Sequence, residues 1–323
     1  MQRVAIVGAG LAGVSLARAV AGRAEVTLLE KARGPGGRMA TRHAGPFEFD
    51  HGAQYFTVRS ERFRRELEPF LASGLVRPWP GRVVRLRPGS EHEEARSGGT
   101  RFVASPRMNA LVKELAADLD VRTSVQVASL EQRAGSWHLS DAEGGTHGPF
   151  DWVVSSAPSV QTAALAPTGF SGTPALDTVR MRGNFTLMLG FETPVEPGWS
   201  GAFVEESLLG WIAINGSKPG RPPGTTLVVQ SSNDWAENHL EDARDAIQAR
   251  MMQALKELTG IDGRGAAHVS LHRWRYADTP NPAGKPFLMD ESLRFASCGD
   301  WCLKGRVEAA FTSGTALAGA LPV

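Results

Sequence analysis

The sequence lacks several features that define whole classes of protein. Its 323 residues include only two cysteines, Cys298 and Cys302, without CxxC spacing or a surrounding Cys/His cluster. Neither a disulfide framework nor a zinc site is indicated, so we expect an intracellular, cytoplasmic protein without a bound metal. Basic residues number 35 and acidic residues 34, which leaves no large field to attract nucleic acid or an anionic membrane. We expect a small-molecule partner, and no protein partner is evident.

Long hydrophobic runs are also missing. The stretch Met1–Ala24 imitates a signal peptide, but its apolar part is far shorter than the roughly 20 residues of a membrane span. We reject the signal-peptide interpretation because the same stretch fits a nucleotide-binding motif in detail. A hydrophobic fraction of 42% and a charged fraction of 21% are typical of a chain that folds throughout, and the length predicts two domains.

Hydrophobic patterns predict the elements along the chain. The first 30 residues read as strand, helix and strand, at Arg3–Val7, about Leu11–Ala21 and Glu25–Glu30. Helical spacing recurs at Ser60–Glu68, where Ser60 is a candidate N-cap, and at Pro106–Asp118, Leu240–Leu258 and Glu308–Ala320. Strand patterns recur at Val121–Gln132, Trp137–Ser140, Asp151–Pro158, Asn184–Phe191, Leu209–Ile214, Thr226–Gln230 and Phe295–Asp300.

A glycine-rich turn lies between the first strand and the first helix. Its GxGxxG motif is Gly8-Ala9-Gly10-Leu11-Ala12-Gly13. Gly8 allows a tight turn, Gly10 lets the backbone approach a pyrophosphate, and Gly13 allows close packing of helix on strand. The helix N-terminus, with Leu11 and Ala12 in its first turn, faces the phosphate charge. Glu30 ends the second strand and can accept from ribose hydroxyls, so strand, helix and acid together predict a dinucleotide site.

The segment after Glu30 bears on the choice between NAD and FAD. Lys31 to Met39 contains a Gly36-Gly37-Arg38 turn. This turn resembles the second phosphate-contacting segment of the amine oxidase and phytoene desaturase superfamily of flavoproteins, although a solvated basic loop is the alternative. The resemblance implies cofactor contacts from Lys31, Gly37, Arg38 and Met39. Glycines would let the backbone pass close to the flavin side, and Arg38 would offer a cation to the diphosphate.

A second match lies at the C-terminus. Cys298-Gly299-Asp300-Trp301 is followed by a small-residue helix that starts near Arg306. In the same superfamily such a Gly-Asp pair meets the ribityl and phosphate part of FAD, and the next helix presents its N-terminus to the flavin. This implies contacts from Gly299, Asp300, Val307, Glu308 and Ala309, with Val127 as a further candidate. A plain packing helix is the alternative, since much of the contact would come from the backbone.

Further segments resemble the renalase family, especially its bacterial members. They are Thr41-Arg42, Phe49-Asp50-His51-Gly52-Ala53-Gln54-Tyr55-Phe56, Arg273-Trp274-Arg275-Tyr276-Ala277 and the Cys298–Gly314 tail. The resemblance covers nearly the whole length and implies an α/β fold. Its Rossmann-type, p-hydroxybenzoate-hydroxylase-like FAD-binding domain would comprise residues 1–56, 102–160 and 287–323. Residues 57–101 and 161–286 would form an inserted α+β substrate domain.

The same resemblance implies an activity. Renalases oxidise dihydronicotinamide dinucleotides that carry hydride at ring position 2 or 6, and their non-covalently bound FAD passes the electrons to dioxygen, giving NAD(P)⁺ and hydrogen peroxide. Candidate residues on the substrate side are Gln54, Tyr55, Asn215, His239 and Trp274. Each has a structural alternative: Gln54 and Tyr55 as a buried hydrogen-bonded pair, His239 as a helix-end residue and Trp274 as a core residue.

Acid–base machinery is not visible in the sequence. Direct hydride transfer needs stacking and orientation more than a proton acceptor, which agrees with this absence. His43, His51 and His92 look isolated and structural, and Cys302 looks like a packing residue. Three alternatives stay open. One is a flavin amine oxidase with an aromatic cage, for which only Tyr55 and Tyr276 offer tyrosine rings. Another is a flavin-binding protein without turnover. The third is a desaturase or protoporphyrinogen-type oxidase, although the sequence shows no sign of the apolar membrane-docking surface that such enzymes usually need.

Overall fold

The computed structural model describes residues 1–90, 92–95, 98–222 and 225–323. The strands in chain order are β1 Gln2–Val7, β2 Ala24–Glu30, β3 Thr41–Ala44, β4 Phe47–Asp50, β5 Val76–Pro78, β6 Val83–Leu86, β7 Glu93–Glu94, β8 Phe102–Ala104, β9 Asp120–Thr123, β10 Val127–Arg133, β11 Ser136–Asp141, β12 Thr146–Phe150, β13 Trp152–Ser155, β14 Arg180–Phe191, β15 Gly201–Val204, β16 Leu209–Ile214, β17 Thr225–Ser231, β18 His268–Asn281, β19 Leu288–Asp290 and β20 Phe295–Ser297. The helices are α1 Leu11–Val20, α2 Glu61–Ala72, α3 Ala110–Leu115, α4 Ser159–Leu165, α5 Thr173–Thr178, α6 Asn233–Glu237, α7 Arg244–Thr259 and α8 Val307–Ala320.

The first layer is a six-stranded sheet in the order β19-β20-β13-β1-β2-β9. All of its neighbouring strands run parallel except β19, which is antiparallel to β20. The central strand β1 is apolar and buried at four consecutive positions, as expected of a parallel strand covered on both faces. Helix α8 packs on α1 so closely that a side chain on Gly314 would overlap the carbonyl oxygen of Ala12. The beginning and the end of the chain therefore share one layer.

The second layer is a seven-stranded sheet in the order β18-β14-β17-β16-β15-β6-β7. Its long strands β14 and β18 pair antiparallel over most of their length. Helix α7 covers this sheet through Ile247, Met251 and Leu255, which recur at i, i+4 and i+8 and are buried. The β3–β4 ribbon lies between the layers, because Phe49 packs with Met188 of β14 and Val228 of β17.

The predicted fold class is confirmed: a Rossmann-type α/β layer is combined with an α+β layer. The predicted N-cap at Ser60 is also present, where the hydroxyl accepts from the Phe63 amide. Two helix predictions were too long. The helix predicted at 106–118 spans only Ala110–Leu115, and the helix predicted from Leu240 begins at Arg244, because the short α6 forms first behind a Ser232 N-cap. The division into domains at the expected boundaries stays a prediction.

Two features are absent from the described residues. No helix there is long and apolar enough to cross a membrane. No group of three or more His, Cys, Asp and Glu side chains in those residues is placed to hold a metal ion.

Candidate cofactor and substrate site

The glycines of the first turn differ in what surrounds them. Gly8 has a φ of 102° and donates its amide to the carbonyl of Leu29, and a side chain on Gly13 would overlap the carbonyl oxygen of Gly8. Both positions therefore need glycine for the fold itself. Gly10 is different, because its φ is −76° and a Cβ there would meet no atom within 4 Å. No contact within the described chain excludes a side chain from Gly10.

The carboxylate of Glu30 is buried and used by the backbone. Its Oε2 accepts from the Ala9 amide at 2.7 Å and its Oε1 from the Ala32 amide at 2.8 Å. These bonds tie the end of β2 to the glycine turn. The predicted bond to a ribose would add to them, since each carboxylate oxygen can accept more than one donor. Val127 lies nearby at the start of β10, in one apolar cluster with Leu29.

The Gly36-Gly37-Arg38 turn folds back onto the glycine turn. Gly36 donates its amide to the carbonyl of Ala9 at 3.0 Å, and a Cβ on Gly37 would lie 3.3 Å from the Cα of Gly10. Gly36 and Gly37 have φ values of 143° and 53°, which L side chains rarely adopt. The two predicted phosphate-contacting segments are therefore adjacent in space.

Arg38 joins this turn to the C-terminal segment. Its guanidinium forms two hydrogen bonds to the Asp300 carboxylate, one of them Nη1 to Oδ2 at 2.9 Å. The pair brings the Gly-Gly-Arg and Gly-Asp segments together across 262 residues of sequence. Lys31 is exposed, whereas Met39 is buried. The Arg38 cation is thus already partnered by Asp300, which sequence reasoning did not foresee.

Helix α8 begins at Val307, beside this pair in sequence. Its first-turn residues Val307, Glu308 and Ala309 are half-buried. The Glu308 carboxylate accepts from the backbone amides of Arg59 and Ser60 at 2.8 and 2.7 Å, so its side chain fastens α8 to the start of α2. A cofactor contact from the Glu308 carboxylate would add to these two bonds. Gly299 donates its amide to the Ser313 hydroxyl, which fixes the loop before α8.

Gln54 and Asn215 belong to a buried polar network that also contains Asp50, Lys218 and Arg221. The Lys218 ammonium donates to the side-chain oxygens of Asn215 at 2.9 Å and Gln54 at 3.1 Å and lies 3.4 Å from Asp50. The Gln54 amide group donates to the carbonyls of Asp50 and Gly52, and that of Asn215 to the carbonyl of Glu48. Both amides are therefore committed to internal bonds, and a substrate contact would require breaking them.

The network carries two cations and one anion. Arg221 donates twice to Asp50 Oδ2, at 2.6 and 3.1 Å, and all three charged side chains are at most 2% exposed. Burial raises the pKa of Asp50, but the charges of Lys218 and Arg221 outweigh burial and lower it to about 2. Burial lowers the pKa of Lys218. Sequence reasoning missed Lys218 and Arg221, and the only local signal was a charged pair in an otherwise turn-like Ser-Lys-Pro-Gly-Arg segment.

His51, His272 and Trp274 form an aromatic cluster where β4 meets β18. The His51 ring stacks on Trp274 at 5.0 Å and meets His272 edge-on at 4.9 Å. Trp274 Nε1 donates to the His51 carbonyl, while His51 Nδ1 is buried without a hydrogen-bond partner among the described residues. Burial, with a contribution from nearby Arg42, lowers the pKa of His51 to about 4. The histidine that looked isolated in the sequence is thus part of an uncharged ring cluster.

The aromatic cluster lies beside the predicted cofactor segments. His51 precedes Gly52, where a Cβ would overlap the carbonyl oxygen of Arg38, and the Ala53 amide donates to the same carbonyl at 2.8 Å. The chain therefore passes from the cluster directly onto the Gly-Gly-Arg turn. Trp274 reaches this segment through the carbonyl of His51, and Gln54 reaches it through the carbonyl of Gly52.

The ring contacts of Tyr55 and His239 are with tryptophans outside the aromatic cluster. The Tyr55 ring packs on Trp211 at 5.5 Å and on Trp79 at 6.2 Å, and the Arg101 guanidinium lies 5.5 Å from its centroid. His239 stacks on Trp235 at 4.5 Å and its Nδ1 lies 2.7 Å from the Trp235 carbonyl oxygen, which matches the helix-end alternative. Among the described residues, no ring contact joins Tyr55 to Tyr276.

Known proteins place this architecture in a family. The sequence profile of the flavin-containing amine oxidoreductase family matches residues 58–321, and that of the NAD(P)-binding Rossmann-like domain matches residues 6–70. The chain therefore belongs to the flavin-containing amine oxidoreductase family, which implies a flavin cofactor. The expected superfamily is thereby confirmed.

Solved structures share the fold at low identity. A proposed protoporphyrinogen oxidase from Exiguobacterium sp. 255-15 has a TM-score of 0.78 at 12% identity. Cyclohexylamine oxidase from Brevibacterium oxydans IH-35A has a TM-score of 0.75 at 13% identity. Putrescine oxidase bound to putrescine has a TM-score of 0.71 at 12% identity. Each comparison covers 99% of this chain and 98% of the other. Identities this low establish the fold and leave the substrate undetermined.

The described residues fit a flavin dinucleotide. Gly10 has open space where a side chain would be, it begins a ten-residue helix with no acidic residue in its first turn, and the Gly36–Gly37 backbone lies against it. These features suit a diphosphate. Glu30 has remaining capacity to accept from a ribose. The Arg38–Asp300 pair and the start of α8 continue the same path toward the aromatic cluster.

Proposed function

We propose that this protein binds FAD non-covalently and oxidises dihydronicotinamide dinucleotides that carry hydride at ring position 2 or 6. The observation that carries the proposal is the uncharged cluster of His51, His272 and Trp274 beside the Gly-Gly-Arg turn. The pKa values of both histidines are lowered, to about 4 and about 3, so the rings are neutral at neutral pH. Flat neutral rings offer a face on which a nicotinamide ring can stack.

In this proposal the chain's own residues bind and orient. Gly10 and the first turn of α1 hold the diphosphate of FAD, and Glu30 holds its adenosine ribose. Trp274 offers a face to the dihydropyridine ring of the substrate. When bound, FAD supplies a hydride acceptor whose electrons dioxygen removes, so that dihydronicotinamide, proton and dioxygen give nicotinamide and hydrogen peroxide. Stacking in one pose selects the ring carbon that donates hydride, because transfer needs a separation of roughly 3–3.5 Å between the donor carbon and the hydride acceptor. Gln54 and Asn215 support the backbone rather than touching substrate.

Cysteine chemistry agrees with non-covalent binding. Cys298 and Cys302 are buried, and burial raises the pKa of Cys302 to about 12, so its thiol stays protonated. The nucleophilic form of cysteine is the thiolate. A bond from either thiol to the flavin is therefore disfavoured.

Amine oxidation is the second candidate, favoured by the family match. Against it, the Arg101 guanidinium lies over the Tyr55 ring, and a second cation on that ring would be repelled. Anaerobic mixing of the purified yellow protein with 2- and 6-dihydro-NAD, ordinary NADH and a panel of amines decides between them. We expect the isomeric dinucleotides to bleach flavin absorbance far faster than the others, with one peroxide formed per dinucleotide in air. Rapid bleaching by an amine, with both isomers inert, would replace this proposal with amine oxidation. If no compound bleaches the flavin, the protein is a non-catalytic flavin binder.

A further inference from the structure

Two arginines near the aromatic cluster lack partners. Arg42 on β3 and Arg244 at the start of α7 are exposed, and neither forms an ion pair or a side-chain hydrogen bond to any residue that the structure describes. Other arginines of this face are paired. Arg182 binds Asp234 and Asp278, and Arg275 binds Glu241.

Backbone contacts place both arginines around the cluster. Arg42 pairs with Phe49 in the β3–β4 ribbon, whose other strand leads directly into His51. The segment before Arg244 is held against β18, because Arg273 donates to the Leu240 carbonyl and Arg275 binds Glu241. His272 precedes Arg273 on that strand, so Arg244 and Arg42 approach the cluster from opposite elements.

The charges of the two arginines act on the cluster. Burial, then His51, Arg42 and Arg244, lower the pKa of His272 to about 3. No acidic group contributes to that shift, and Asp50, the acid next to His51, is already neutralised by Lys218 and Arg221. The half-buried rings of His272 and Trp274 therefore lie in the field of two arginines that no described acidic side chain pairs with.

We infer that Arg42 and Arg244 bind the phosphate groups of a substrate whose uncharged ring stacks on His272 and Trp274. The inference rests on the proposed function and names its anionic subsite. Guanidinium groups form charge-assisted hydrogen bonds with phosphate oxygens. A guanidinium that has no acidic partner can bind a phosphate without first breaking an ion pair. The same charges disfavour a protonated amine at this entrance. Selection would thus act on the charge of the substrate as well as on its ring.

The test compares substrates with and without phosphate. Flavin reduction by 2- or 6-dihydro-NAD and by the phosphate-free dihydronicotinamide riboside is followed in the wild type, Arg42→Ala, Arg244→Ala and the double variant. For the dinucleotide we expect the apparent dissociation constant to rise roughly tenfold in the double variant, with the limiting rate changed by less than about twofold. For the riboside we expect no change. Arg65→Ala, which removes an equal charge from an exposed arginine of α2, serves as the control.

Each remaining outcome separates the inference from the proposed function. If the apparent dissociation constant rises equally for riboside and dinucleotide, or if the variants lose FAD, the inferred phosphate subsite is wrong while the proposed activity stands. If no dihydronicotinamide reduces the wild-type flavin, the proposed function fails, and calorimetric binding of ADP decides the inference alone. Weaker ADP binding in the double variant than in Arg65→Ala would support the subsite. Equal binding in the two variants, or none in the wild type, would overturn it.

Discussion

Single glycines in the first turn are required for two different reasons. At Gly8 and Gly13 the protein itself excludes a side chain, by a positive φ at the first and by overlap with backbone at the second. At Gly10 nothing in the described chain does so. A requirement for glycine at Gly10 would therefore come from a bound dinucleotide, and substitution there separates cofactor binding from folding.

Gly10→Val tests this distinction. We expect the variant to fold, with a thermal midpoint of the flavin-free protein within roughly 3 °C of the wild type, because surface substitutions change stability little. We expect its flavin content per chain to fall at least tenfold, since the new methyl groups would occupy the approach of the pyrophosphate. Flavin absorbance and thermal unfolding measure the two effects. Gly319→Val is the control, because a Cβ at Gly319 also meets no atom within 4 Å. Normal flavin content in Gly10→Val would contradict the diphosphate assignment.

Elements with local sequence signals were predictable, and contacts between distant elements were not. The turn at Gly8–Gly13 and the Ser60 cap each depend on residues within a few positions, so spacing alone revealed them. The buried network joins residues 164 to 171 positions apart, and no periodicity encodes such a contact. The family resemblance predicts Gln54 and Asn215 as substrate-side residues, and it gave no sign that their amides also join β4 to the loop after β16.

The histidine pair between β4 and β18 predicts an acid-sensitive junction. His51 and His272 have pKa values of about 4 and about 3 in the folded state, against an ordinary value of 6.5. Between about pH 6.5 and 4 the unfolded chain binds more protons than the folded one, so stability must fall as pH falls through this window. For buried His51 the limit is about 1.4 kcal/mol per pH unit.

Urea unfolding of the flavin-free protein from pH 7.5 to 4.5 measures this slope. We expect it to be shallower in His51→Gln, which keeps a polar side chain but cannot take up a proton in this range. His92→Gln, at an exposed histidine outside this cluster, is the control. If the free energy of unfolding changes with pH at the same slope in all three proteins, the neutral state of His51 and His272 does not contribute to the loss of stability in acid.

At the scale of the whole molecule, the buried network fastens two short β-ribbons to the seven-stranded sheet. Asp50 ends β4 of the β3–β4 ribbon, Arg221 donates to the carbonyl of Ala104 at the end of β8, which pairs with β5, and Lys218 lies in the loop that leaves the seven-stranded sheet. The network has one more cation than anions. Its only described carboxylate is therefore the most sensitive position, because without it two buried cations face each other.

This charge count predicts an order of stabilities. Asp50→Asn should lower the free energy of unfolding by about 3–5 kcal/mol, since it leaves Lys218 and Arg221 without an anion. Lys218→Met should cost less, because Arg221 still neutralises Asp50, and combining the two substitutions should recover part of the loss. Urea unfolding of the flavin-free variants ranks them. A larger loss in Lys218→Met than in Asp50→Asn would mean that the hydrogen bonds of Lys218 outweigh the charge balance.

The close packing of α8 on α1 ties the site to the order in which the chain is synthesised. Translation delivers the glycine turn well before its partners, because Asp300 follows its partner Arg38 by 262 residues and α8, the partner of α1, comes later still. Strands β14 to β18, contiguous in the chain apart from the helices they flank, are delivered earlier and can pair before then. A nascent polypeptide thus exposes a half-built dinucleotide cradle until α8 has been synthesised, so that capture of the cofactor follows the pairing of the second sheet.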